Sequence, residues 1–261
     1  MALPSLPGRG RRHRGALDRE QQVAALAAAL APLGEVYVVA PDREQSAVGH
    51  ALTLHRPLRV ERVAERRFAV NGTPSDCVNL GVLGLLPEPP VLVVSGINHG
   101  SNLGDDVTYS GTVSAAMEGT LLGVPSMAVS QLDGEAGGFE NAGRIAELVA
   151  ARALVEGLPA KTLLNVNVPR GEVRGVRMTR LGHRVYREKV VQEVDPRGRP
   201  YYWIGAGPPE WREDEASDIA AVHAGWASVT PLHLDLTHFG ALGRMSEWEA
   251  GLNALLRKRR R

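Results

Sequence analysis

Residues 90–119 read PVLVVSGINHGSNLGDDVTYSGTVSAAMEG. The run from Val91 to Ser95 is almost wholly apolar, the pattern of a strand buried on both faces at the centre of a parallel sheet. The polar, glycine-rich stretch behind it reads as a loop, and Ser110-Gly111-Thr112 opens a helix reaching to about Leu122. Strand, loop and helix in that order make half of a βαβ unit. In open sheets of this kind ligands bind beyond the carboxyl ends of the strands.

Working outward, VPSMAVSQL (124–132), an amphipathic helix around 139–155 and TLLNVNVP (162–169) continue the alternation. Upstream lie an alanine-rich helix from Leu17, with Val23, Leu26 and Leu30 on one face, and the β-branched run EVYVVAPD (35–42). The segments ALTLHRPLRV (51–60) and RFAVNGTP (67–74) alternate as strands do, and PSDCVNLGVLGLL starts a helix at Pro74, where a missing N–H costs nothing. Beyond residue 172, strand-like runs alternate with turn signals such as DPRG (195–198). The fold class is therefore α/β: a Rossmann-like, doubly wound, mostly parallel sheet over 19–172, a C-terminal antiparallel β extension over 173–240, and a final helix and basic tail over 241–261. Residues 1–18 form a basic segment with four arginines between Arg9 and Arg14 and no strand or helix period before Leu17.

Thirty basic residues against 29 acidic ones leave a formal charge of +1 over 261 residues, which points away from nucleic acid or membrane as the main partner. The single cysteine, Cys77, excludes an intrachain disulfide and reads as core. No apolar run is long enough to span a membrane, and the N-terminus lacks the apolar stretch of a secretory signal, so the expected compartment is the cytoplasm.

Candidate chemistry concentrates in PDREQSAVGH (41–50) and GINHGSNLGDDVTYSGT (96–112). Ser110, Gly111 and Thr112 offer N–H groups and hydroxyls to an anion at a helix N-terminus, although Ser110 reads equally well as an ordinary cap. Asn98, Asn102, Asp105 and Asp106 carry oxygens that suit Mg²⁺ or Mn²⁺, and from the residues alone the Asp105–Asp106 pair is the metal candidate against a solvated acidic turn. The histidines, His50 among them, lack ligand spacing and read as structural. There is no P-loop and no GxGxxG.

Six ordered segments together resemble the SurE (survival protein E) family: VVAPDREQSAVGHALTL, VNGTPSDCVNLGV, VVSGINHGSNLGDDVTYSGTVSAAMEG, LLNVNVP, DPRGRPYYWIG and VTPLHLDLT. The resemblance implies a phosphomonoesterase acting on nucleoside 5′- and 3′-monophosphates with one divalent cation, Mg²⁺ or Mn²⁺. It further implies a homodimer or homotetramer built through the β extension. It carries the metal ligands onto Ser46 and Asn98, and phosphate binding onto Ser110, Gly111 and Thr112 with Asn102 beside them; Asp105 and Asp106 become loop residues. The family also begins with a strand followed by NDDG, which supplies a metal ligand and the catalytic nucleophile or base. Aligned without gaps those aspartates fall at Gly15 and Ala16, where no carboxylate pair stands, and MALPSLPGRG makes a poor central strand. Residues 1 to about 18 are therefore expected to be an out-of-frame translation of an arginine-rich gene in which only three basic residues are lysine. The rivals are a nucleotide- or phosphate-binding paralogue without its nucleophile, and a basic arm for an acidic partner.

Overall fold

The computed structural model describes residues 14–45, 48–132, 138–185, 189–206, 210–212 and 214–258. In chain order these form α1 (Arg14–Leu30), β1 (Val38–Pro41), β2 (Val60–Ala64), β3 (Arg67–Val70), α2 (Pro74–Leu80), β4 (Val93–His99), α3 (Gly111–Leu121), β5 (Ser126–Gln131), α4 (Glu140–Glu156) and β6 (Thr162–Val168). There follow β7 (Val176–Met178), β8 (Arg184–Val185), β9 (Lys189–Val194), β10 (Pro200–Ala206), β11 (Glu210–Trp211), α5 (Asp218–His223), β12 (Ala227–His233), α6 (Phe239–Met245) and α7 (Glu247–Lys258).

β4, β5 and β6 pair in parallel, and β12 and β7 extend their sheet in the order β4-β5-β6-β12-β7, with β12 antiparallel to β6. Period-2 alternation distributes these strands between two cores. Val94, Met127, Val129, Leu164 and Val166 pack on α1 and α4 through Val23, Leu26, Ala142 and Ala146. On the other side Val93 meets Cys77 and Val78 of α2 and Ala115 of α3, while Ala128 and Leu163 meet Val113 and Ala116 of α3. Each of the fully buried aliphatic side chains contributes about 1.5–3 kcal/mol.

β1, β3 and β2 form a second sheet, with β1 parallel to β3 and β2 antiparallel to it. Among the described residues the strands of the expected doubly wound core thus fall in two sheets, β1-β3-β2 and the sheet that holds β4, β5 and β6. β1 and β4 each end a sheet, yet Val38, Val39, Ala40, Val93 and Val94 are all buried, and Val38 and Val94 share one core with Leu26 of α1. Residues 1–13, where no strand pattern was found, lie outside the described residues. α1 begins at Arg14 rather than Leu17, so Gly15 and Ala16 are on the helix backbone.

The expected strand 51–60 exists only from Val60. Leu54 is 89% exposed, and two backbone N–H groups of the stretch go to side chains: Thr53 N–H donates to Asp76 and Arg59 N–H to Asn71. Pro57, which has no N–H, helps explain the choice. Of the strands expected in the extension, β9–β10 is an antiparallel hairpin and β8–β11 an antiparallel pair, whereas β7 and β12 belong to the main sheet.

Candidate active site at the N-terminus of α3

Three chain segments converge on the first turn of α3. Near its end β4 carries Asn98, whose carboxamide nitrogen donates to the carbonyls of Gly100 (2.9 Å) and His99 (3.2 Å). Those two bonds turn its oxygen toward Thr112, 3.4 Å from the Thr112 hydroxyl. α2 brings Pro74, and the loop after β1 brings Gln45: a Cβ on Gly111 would stand 3.2 Å from Pro74 Cγ and 3.3 Å from the Gln45 carbonyl oxygen. The lack of a side chain at Gly111 is what lets these backbones close on the helix end.

Ser110 is the N-cap, its hydroxyl oxygen accepting the Val113 N–H at 3.1 Å. The plain capping role is real, and it is compatible with an anion site. The N–H groups of Gly111 and Thr112 have no intrahelical acceptor by the geometry of a helix start and stand at the positive end of the helix dipole, while the Thr112 hydroxyl donates to Asn98 Oδ1. Asn98 is therefore brought against the Ser110–Thr112 triplet at Thr112. Ser46 lies outside the described residues.

Asn102 is fixed by residues that the sequence reading did not single out. Its N–H donates to Asn167 Oδ1 (2.8 Å), its carbonyl accepts from Asn165 Nδ2 (2.8 Å) and Asn167 Nδ2 (3.0 Å), and its own Nδ2 donates to Ser130 Oγ (2.7 Å). All four residues are buried. Two asparagines two apart in the apolar strand LLNVNV were the available signal: both point to one face, and buried amides require partners.

The rest of the loop is held by Asp218, which is fully buried and accepts N–H bonds from Gly104 (2.9 Å), Gly182 (2.8 Å) and Ile219 (2.9 Å). Burial pushes its carboxyl above the usual aspartate range, against the pull of these donors. Asp105 and Asp106, the metal candidate from the residues alone, are used otherwise: Asp105 accepts the Arg184 N–H and Asp106 pairs with the Arg184 guanidinium at 2.7 Å. That corrects the first reading and agrees with their loop role. Cys77 is core, its thiol pushed well up by burial.

The chain is similar to known proteins over most of its length. The profile of the family "Survival protein SurE" matches residues 18–188, starting two residues past Ala16. A Syntrophotalea carbinolica protein named 5′-nucleotidase SurE is 56% identical over 229 residues, covering 87% of this chain and 91% of that protein. A Myxococcus xanthus protein of the same name is 52% identical over 228 residues, with coverages of 86% and 87%. The crystal structure of a SurE protein from Aquifex aeolicus superposes with a TM-score of 0.79 at 43% identity, covering 95% of this chain and all of that one.

Proposed function

The chain belongs to the survival protein SurE family, and on that premise we propose that it is a 5′-nucleotidase, a hydrolase cleaving a nucleoside monophosphate with water to nucleoside and inorganic phosphate. The observation that carries the reading is the helix start at Gly111 and Thr112 with Asn98 beside it. These groups would bind the phosphoryl oxygens and hold their charge as the ester bond to the nucleoside oxygen breaks. Asn102, whose amide donates to Ser130, is proposed as a further phosphate contact. Activity on 3′-monophosphates, a cytoplasmic location and a homodimeric or homotetrameric assembly belong to the same proposal. Among the described residues no helix is long and apolar enough to cross a membrane.

A divalent cation, Mg²⁺ or Mn²⁺, is the proposed cofactor, with Ser46 and Asn98 as ligands. Tested against the described residues, this donor set does not suffice. Asn98 offers one neutral oxygen, and no three His, Cys, Asp or Glu side chains converge anywhere among the described residues. Hard divalent cations prefer carboxylate oxygen. A carboxylate pair is what residues 1 to about 18 should have supplied, so we take that segment to be out of frame in this chain. Translating all three frames across the first twenty codons of the resequenced gene is the direct check.

The functional test is release of inorganic phosphate from AMP with Mn²⁺ or Mg²⁺, using this chain and, if another frame supplies it, the chain carrying the restored N-terminus. Turnover establishes the nucleotidase. AMP binding without turnover in both chains would move the reading to a phosphate-binding paralogue. Failure of AMP and of phosphate to bind at all would remove the site.

A further inference from the structure

Glu118 sits on α3 seven residues beyond Gly111, and its side chain is only 6% exposed. A carboxylate this deep persists only if its oxygens find donors. Both do, and neither donor is on α3. One oxygen meets His50 Nε2 at 2.7 Å, and the other accepts from Asn79 Nδ2 of α2 at 2.7 Å. The contact spans 68 residues of sequence on the His50 side and 39 on the Asn79 side, so Glu118 ties α3 to two elements at once.

His50 belongs to the stretch Val48–Thr53, which borders the candidate site. A Cβ on Gly49 would stand 3.7 Å from the carbonyl oxygen of Thr108, two residues before Ser110. Farther along, the Ala51 carbonyl accepts the Thr73 hydroxyl (2.7 Å), and the Thr53 N–H donates to Asp76 (2.8 Å). Asp76 and Thr73 in turn form the reciprocal cap of α2. The stretch is thus pinned to α2 near Ala51–Thr53 and to α3 at His50. Of these ties, only His50 binds it directly to the helix whose first turn offers the phosphate donors.

We propose that His50 is a positioning residue for phosphate binding: through Glu118, and with Asn79 on the other oxygen, it holds Val48–Thr53 against α3 and fixes how the first turn presents Gly111 and Thr112. It does so without touching the substrate. The inference rests on the phosphate-site reading above, and goes beyond it by naming a residue outside the site that sets its affinity. His50 is a satisfied structural histidine, and its partner Glu118 is what gives it reach.

The test uses the full chain and inorganic phosphate as the probe, with His50→Ala, His50→Gln and Asn79→Ala. Calorimetry reads phosphate affinity, hydrogen exchange reads the amides of 48–53 and 111–114, and thermal melting monitors the fold. His50→Ala should weaken phosphate binding by about tenfold, the size of one hydrogen bond to a charged group, and speed exchange in both stretches. His50→Gln, which retains a donor, should recover most of both effects. Should His50→Ala not fold, Asn79→Ala loosens the same carboxylate from the α2 side and should weaken phosphate binding in the same direction. Phosphate affinity within twofold of wild type in the Ala variants would overturn the proposal, as would an affinity loss in His50→Ala that Gln does not recover. Those results differ from a wild-type chain that binds no phosphate, which would overturn the nucleotidase site and this inference together.

Discussion

Replacing Asp218 by alanine should destabilise the protein strongly although the residue lies outside the first turn of α3. Its carboxylate accepts the N–H of Gly104 at 2.9 Å and of Gly182 at 2.8 Å, with no solvent exposure. Alanine leaves both N–H groups buried without that acceptor, at about 1–3 kcal/mol each, so the loss should be about 2–6 kcal/mol. A domain of this size is stable by only about 5–15 kcal/mol. For chains of roughly this length each kcal/mol moves the melting midpoint by about 2–4 °C, so the midpoint should fall by at least about 4 °C. Urea unfolding with matched slopes gives the free energy directly, and the midpoint from calorimetry checks it. Gly104 follows Asn102 closely, so the same variant should also bind inorganic phosphate more weakly. Asp218→Asn, which keeps one acceptor oxygen, should fall between the two. A stability within 0.5 kcal/mol of wild type in the alanine variant, a margin typical of surface changes, would refute the reasoning, since it would mean that these N–H groups find other partners at no cost.

Three further outcomes are expected. Asn98→Ala, in an active chain, should lower Mn²⁺ affinity and turnover together; wild-type kinetics in that variant would take Asn98 out of the site. Asn167→Ala removes both the acceptor of the Asn102 N–H and a donor to its carbonyl, so urea unfolding should show a loss of about 1–3 kcal/mol along with weaker phosphate binding. Cys77 is buried with its thiol pushed above the ordinary range, so an aromatic disulfide reagent at neutral pH should label it no faster than the chain unfolds, and rapid labelling of the native protein would contradict its place in the core.

How much of this was legible beforehand follows from how locally each feature is encoded. β4, β5 and β6, and the starts of α2 and α3, carry their own signals in apolar runs, in Pro74 and in Ser110, because burial on both faces and the needs of a helix start act within a few residues. The stretch 51–59 misled because its alternation of leucines satisfies the strand pattern, while its backbone is claimed by Asp76 and Asn71 from elsewhere in the chain. The Asp105–Asp106 pair misled for the same reason: a carboxylate pair reads as a metal site until the partner, Arg184, arrives from 78 residues away.

By itself, then, the sequence determined the α/β class, the family and the start of α3 at Ser110, since each rests on residues that are neighbours along the chain. The tertiary structure alone decided that Asn165, Asn167 and Ser130 fix Asn102, that Asp218 braces the loop behind it, and that Glu118 gathers His50 and Asn79. Those are buried polar groups whose cost is met only by partners distant in sequence. No local pattern can name such partners, because the free energy that selects them exists only once the elements have packed and water has been excluded.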